Sequence, residues 1–275
     1  MERNGVYLWQ SCGFQIKRFT QIAFCDTIRK NEKAIQKMKI YITRHGQVCP
    51  TEYFGSTDFP MFDIPLSDLG KKQAECLAKK LKETGFKGKI FSSPYRRTMM
   101  TASAVATVCN LPVFPDKALR EIIKTDEGAQ EFEGMTLEKL KEEFACVAQD
   151  ASLIYPWWAK TKDTKEAVIE RVSCFWEELL QSGEKEVLLV GHGASVYGLL
   201  YYLNEKFDLG FTRDKDEFGD YLAERGLNCT LSYVEIDENG KLVEAEFFNN
   251  EHLADDMITS NPRPKERPEI IKINR

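Results

Sequence analysis

Histidine is scarce in this chain: three occur in 275 positions, at His45, His192 and His252. Other scarcities narrow the field before any motif is read. No apolar run reaches the roughly 18 residues that a membrane-spanning helix needs, and the longest, such as "ASVYGLLYYL", suit a core helix. The eight cysteines form no C-x-x-C pair and no secretion signal is evident, which argues against a disulfide framework or a zinc site. Reduced thiols in a cytoplasmic protein are expected instead. Excess positive charge is also missing. A net charge of −5 disfavours nucleic acid or an anionic membrane as the main partner. Internal repeats are absent, so a solenoid is not expected.

What is there reads as a globular protein, with 43% hydrophobic and 29% charged residues and enough length to bury a full core. Residues 1–37 carry more Lys and Arg than Asp and Glu, and a weak amphipathic pattern in "IKRFTQIAFCDTIRK". They are expected to be an appended or helical arm, since "MKIYITRHG" from Met38 would itself be a sound start. From Met38 to about residue 250, strand and helix patterns alternate. "KIYIT", "KIFSS" and the continuously apolar "EVLLV" read as strands, the last buried on both faces. Leu69, Ala74, Leu77, Ala78 and Leu81 share one face of a helix that Gly85 ends. Ala102, Val105, Ala106 and Cys109 align in a second, and Val168, Val172, Phe175, Trp176 and Leu179 in a third, over roughly 164–182. "TLSYVEI" and "LVEAEFF" flank "DENG", a tight hairpin turn. Residues 251–275, proline-rich and charged towards the end, are expected to be extended on the surface or disordered. The alternation predicts a three-layer α/β sandwich whose mostly parallel central sheet is flanked by helices.

In such a sheet, ligand sites form beyond the carboxyl ends of the strands. Arg44-His45, Ser93 to Arg97 and His192 each follow a predicted strand, so three distant segments are placed to converge. Arginine offers permanently charged planar donors that match phosphate oxygens. A neutral imidazole offers a nucleophilic nitrogen near pH 7. Glycine beside each of His45 and His192 lets a substrate approach the backbone. A serine-hydrolase reading of "GHGASVYG" fails, because a G-x-S-x-G elbow requires glycine where Tyr197 stands.

"TRHGQ", "IPLSDLGKKQA", "FSSPYRRTMMTA", "LREI…EFEGMT" and "LLVGHGAS" follow the order and approximate spacing of the histidine phosphatase superfamily, which this chain resembles over about residues 38–250. The resemblance implies roles position by position. His45 would be the nucleophile that accepts the phosphoryl group. Arg44, Arg97 and His192, with Gly193 beside it, would hold the phosphoryl oxygens. Glu121 would protonate the leaving group. Neither metal nor cofactor is expected, and the partner implied is a small phosphorylated substrate, with no membrane or nucleic acid. Oligomeric state is not legible.

Departures from the phosphoglycerate mutase branch of that superfamily favour a phosphatase. Thr51 stands where that branch has asparagine, "YFGSTD" carries Ser56 for a tryptophan, and "EIIKTDEG" replaces the stretch after the acidic residue. The alternatives are a mutase, which returns the phosphoryl group to a sugar acid, and a non-catalytic phospho-ligand binder. The superfamily's "GES" element is missing, and Asp163-Thr164 is the nearest counterpart. Gln47 and Thr51 are candidate substrate contacts. Trp157 and Trp158, in "YPWW", have two readings: a packed connection to the long helix, or an aromatic substrate wall.

Overall fold

Period-2 burial along the central strands sets the layering. In the computed structural model, which describes residues 36–50, 63–211, 226–260 and 263–275, strand β1 (Met38–Arg44) and strand β4 (Glu186–Gly191) pair in parallel. Ile40, Ile42, Val187 and Leu189 face one core, while Tyr41, Leu188 and Val190 face the other. Two hydrophobic faces demand two covering layers, and helices supply both.

On one side lie α1 (Asp68–Glu83) and α2 (Arg96–Cys109), which bring Ala74, Leu77, Ala78 and Leu81 against Ala102, Val105 and Ala106. On the other lie α5 (Lys165–Gln181) and α6 (Gly193–Phe207), whose Val172, Phe175, Trp176, Leu199 and Leu203 fill the second core. Helix α1 starts where the Ser67 hydroxyl accepts the Gly70 N–H at 3.0 Å. It stops before Gly85, whose φ of +76° is the left-handed conformation that suits a helix end. Leu69 and Cys109, expected on the buried faces of α1 and α2, sit near helix ends and are only half-buried. Gln73 takes a fully buried place on α1 instead.

The remaining elements are β2 (Lys89–Ser92), β3 (Val113–Pro115), α3 (Asp126–Glu131), α4 (Leu137–Glu143), β5 (Leu231–Ile236), β6 (Leu242–Asn249), β7 (Thr259–Ser260), β8 (Arg263–Pro264) and β9 (Ile271–Asn274). Seven strands form one sheet in the order β3-β2-β4-β1-β5-β6-β9. The three-layer α/β architecture is as expected, but the sheet is parallel only in its β3-β2-β4-β1 half. Beyond β1 every pairing is antiparallel, and for β5 and β6 the short Asp237–Gly240 turn allows only a hairpin. The C-terminal segment is extended, and it is also paired: β9 lies along β6 as the sheet's edge strand. The expected N-terminal arm falls outside the described residues except for its last two positions.

Candidate active site

Each strand of the parallel half releases its chain at the same edge of the sheet, and the polar residues gather there. His45 follows β1, Ser93 to Arg97 join β2 to α2, Glu121 follows β3, and His192 caps α6 after β4. His45, Glu121 and His192 bring one potential ligating atom each to within 4.8 Å of one another. The two imidazole rings lie 5.2 Å apart, centroid to centroid, and both are fully buried.

Backbone contacts hold His45 from every side. Its N–H donates to the Gly191 carbonyl at 3.0 Å, and the Asn228 amide donates to its carbonyl at 2.9 Å. The next residue, Gly46, donates its N–H to the Thr101 hydroxyl at 3.1 Å. A Cβ on Gly46 would lie 2.5 Å from the Gly70 carbonyl oxygen, so only glycine lets this turn press against α1.

The two histidines present different nitrogens to the site. His45 Nδ1 lies 2.7 Å from the Gly46 carbonyl, to which it can only donate; its proton is therefore on Nδ1. Nε2 is left with a lone pair and has no partner. In His192 the roles are reversed. Nε2 meets the Ser93 hydroxyl at 2.8 Å, while Nδ1 has no hydrogen bond and stands 3.6 Å from Glu121 Oε2. The Tyr95 N–H approaches Ser93 Oγ at 3.5 Å, which favours a serine hydroxyl that donates to His192 and leaves Nδ1–H facing the site.

Arg97 is buried, its guanidinium 4.6 Å from the Tyr95 ring centroid and 3.8 Å from Glu121 Oε2. Arg44 is held through Nη1 by the Gly226 carbonyl at 3.3 Å and the Ser260 hydroxyl at 3.1 Å, while its buried Nε has no partner. Burial pushes the His45 imidazolium well below the usual histidine value, and the charges of Arg97 and Arg44 push it further. His192 is lowered in the same way, by burial first and then by Arg97. Both imidazoles are therefore neutral at pH 7. Two imidazoles and a carboxylate could ligate a cation, but two arginines share this space and make it suited to an anion.

Of the candidate residues, Arg44, His45, Arg97, Glu121 and His192 come together here. Gly193 lies beside Arg44, close enough that a Cβ on it would stand 3.8 Å from the guanidinium carbon. Gln47 is turned towards the start of α1, where its side-chain oxygen accepts the Ser67 hydroxyl at 2.8 Å. Thr51 lies outside the described residues. Trp157 and Trp158 do not line the cavity beside Glu121: both are buried behind Tyr95 and Phe132, and Trp157 Nε1–H donates to the Met135 carbonyl at 2.9 Å. Both are packed into the connection that leads to the long helix.

Sequence reasoning assigns no role to the group that fixes Glu121. Asp163 takes a two-pronged bond from Arg120 at 2.5 and 2.7 Å and also accepts the Ile123 N–H at 3.0 Å. Arg171, on α5, donates to the carbonyls of Ala118 and Arg120. The signal in the sequence is faint, since Asp163 stands out there only as the nearest counterpart of a missing motif.

A three-layer α/β sandwich whose parallel strands deliver two arginines, two neutral imidazoles and a carboxylate to one crevice has features that suit a phosphoryl group. The chain belongs to the histidine phosphatase superfamily, branch 1, whose family model matches residues 40–246. It is 27% identical over 216 residues to the transcription factor tau 55 kDa subunit of Saccharomyces cerevisiae, covering 72% of this chain and 49% of that protein. The chain thus spans about half the length of that relative. It is 28% identical over 168 residues to the putative phosphoserine phosphatase 2 of Hydrogenobacter thermophilus, covering 60% of this chain and 78% of that one. Among solved structures, the ecdysone phosphate phosphatase of Bombix mori, in complex with tungstate, superposes with a TM-score of 0.56 at 16% identity. That match covers 75% of this chain and 92% of the other, a likeness of fold.

Proposed function

We propose that the protein is a phosphomonoester hydrolase that works through a phosphohistidine at His45 and needs no metal ion. The observation that carries this reading is the unpartnered Nε2 of His45, a buried neutral lone pair among Arg44, Arg97 and His192. Nε2 attacks phosphorus, the bond from phosphorus to the leaving oxygen breaks, and Glu121 gives that oxygen a proton. Glu121, now a carboxylate, takes a proton from water as the water displaces His45 and releases inorganic phosphate. Phosphoryl transfer has a loose transition state, so most of the rate enhancement comes from positioning and from the charges of the arginines and the His192 N–H.

The substrate is a small phosphorylated metabolite, and the leaving-group side is open enough for a range of alcohols. Free cysteines throughout the described residues support a cytoplasmic location. A second reading is a non-catalytic phospho-ligand binder; the complete set of His45, Glu121 and His192 supports catalysis instead.

Quenched turnover in the presence of a chelator separates these readings. It should trap an acid-labile, base-stable phosphate on the His45 peptide, and His45→Ala should lose both label and turnover. Label on His192, no label at all, or label that requires a divalent ion would overturn the proposal.

A further inference from the structure

Next to Glu121, on the side where the leaving group must depart, is a cavity of about 280 Å³. Its walls are the side chains of Val48, Ile64, Tyr95, Ile122, Ile123 and Phe132. Among the described residues, the polar groups that border it are already assigned or are exposed. Arg97 and Glu121 form its phosphoryl end. The Thr125 hydroxyl caps α3, accepting the Gly128 N–H at 3.0 Å, and Lys124 is exposed. A sugar, a sugar acid or an amino acid placed here would bring hydroxyls or charges out of water against walls whose described residues offer them few partners, at a net cost.

The walls are also held in place. Tyr95 and Phe132 stack at 4.9 Å with their planes 15° apart. Trp157 packs edge-on against both, at 5.1 and 5.5 Å, and Trp158 packs on Phe132 at 5.7 Å. This second aromatic layer is the structural work of the "YPWW" segment. A pre-formed apolar cavity loses little on binding an apolar group, because its side chains are already ordered.

We infer that this cavity is a leaving-group subsite for an apolar alcohol or phenol, so that the preferred substrates are monophosphate esters of hydrophobic molecules. The inference rests on the phosphohistidine reading, and two separate readouts keep their failures apart. Acetyl phosphate, whose leaving group is too small to use the subsite, reports only whether His45 is phosphorylated. A series of ethyl, butyl and hexyl phosphates reports the subsite, because the chemistry of the leaving alkoxide is nearly constant along it.

In that series kcat/KM should rise roughly three- to fourfold per methylene until the cavity is full, the factor that burial of one CH₂ corresponds to. Benzyl phosphate should exceed glycerol phosphate and phosphoserine by about a hundredfold or more on the same scale. Ile122→Ser puts a hydroxyl on a half-buried wall position that tolerates it, and should flatten the slope; Phe132→Leu should lower benzyl more than hexyl phosphate. With His45 labelled by acetyl phosphate, a flat alkyl series would overturn the inference. So would a preference for phosphoserine that Lys124→Ala removes, since that would assign the mouth to an anionic group.

Discussion

In the proposed reaction His45 and Glu121 take separate parts, and their surroundings fit those parts. The Gly46 carbonyl accepts a hydrogen bond from His45 Nδ1–H, which keeps the lone pair on Nε2, so the proposed nucleophilic nitrogen needs no separate base. Glu121 stands within reach of both His192 and Arg97 but is partly exposed, open to the leaving group and later to water. A general acid matters in proportion to how poor the leaving group is. Glu121→Gln keeps the size of the side chain and removes the transferable proton. Turnover of an alkyl phosphate should then fall by ~10²–10⁴-fold, the usual worth of acid–base catalysis. The first step with p-nitrophenyl phosphate should suffer far less and show as a burst of nitrophenol. Arg97→Ala should impair both substrates alike, since it acts on the phosphoryl group they share. Equal losses in the Glu121 variant, measured in that burst, would assign the leaving-group proton to another residue.

At the scale of elements, the segment after β3 is the part of the site with least regular structure to hold it. A 3₁₀ turn (Lys117–Leu119) brings the chain to Arg120, and side chains complete the work. Asp163, just ahead of α5, ties Arg120 and the Ile123 N–H together, while Arg171 of α5 grips two carbonyls of the same stretch. Burial alone would raise the Asp163 carboxyl, but the hydrogen bonds from Arg120 and the Ile123 N–H, with the charges of Arg120 and Arg171, together hold it below the usual range. Removing one member of a buried ion pair leaves the other uncompensated. Asp163→Ala should therefore cost about 3–5 kcal/mol, read as a lower denaturation midpoint. It should also lower kcat for alkyl phosphates more than the labelling of His45 by acetyl phosphate, because it displaces Glu121 rather than the nucleophile. A variant with wild-type stability and turnover would show that the segment is held elsewhere.

For the molecule as a whole, all three histidines have depressed basicity, His45 and His192 fully buried and His252 half-buried. His45 and His192 lie well below the usual value, and burial brings His252, which stands 2.8 Å from the Cys229 carbonyl, down to about 4. Below about pH 6.5 the unfolded chain takes up protons on these residues that the folded chain refuses. Their contribution to stability is therefore complete above that pH and is lost as the pH falls towards 4. Each histidine adds a slope of up to ~1.4 kcal/mol per pH unit in that window. Asp63 and Asp116, raised by burial, act in the opposite sense near the acid end. Urea denaturation should show a midpoint that drops clearly between pH 7 and pH 5. His252→Gln, remote from the chemistry, should make that drop shallower by one histidine's share. A midpoint that is level over this range would contradict the depressed basicities.

Local rules were enough for much of this. Period-2 and period-3.6 patterns identify β1, β4, α1, α2, α5 and α6, because burial of one face is written into residues a few positions apart. Glycine-flanked histidines at predicted strand ends, in the order of a known family, bring His45, Glu121, His192, Arg44 and Arg97 into one proposal. What tertiary structure alone decided lies at long range. The Arg44 guanidinium rests on Ser260, 216 positions away, and the His45 carbonyl on Asn228, 183 away. The antiparallel half of the sheet, with β9 at its edge, depends on which strand finds which neighbour, and β-pairing carries no local signature of its partner. The same holds for Trp157 and Trp158. Their sequence offers large apolar surface, but only the stacking of Tyr95 on Phe132 in front of them places this surface behind a cavity wall. Hydrophobic periodicity is set by neighbours along the chain; the partner of a buried polar or aromatic group is set by whatever the packed fold brings against it.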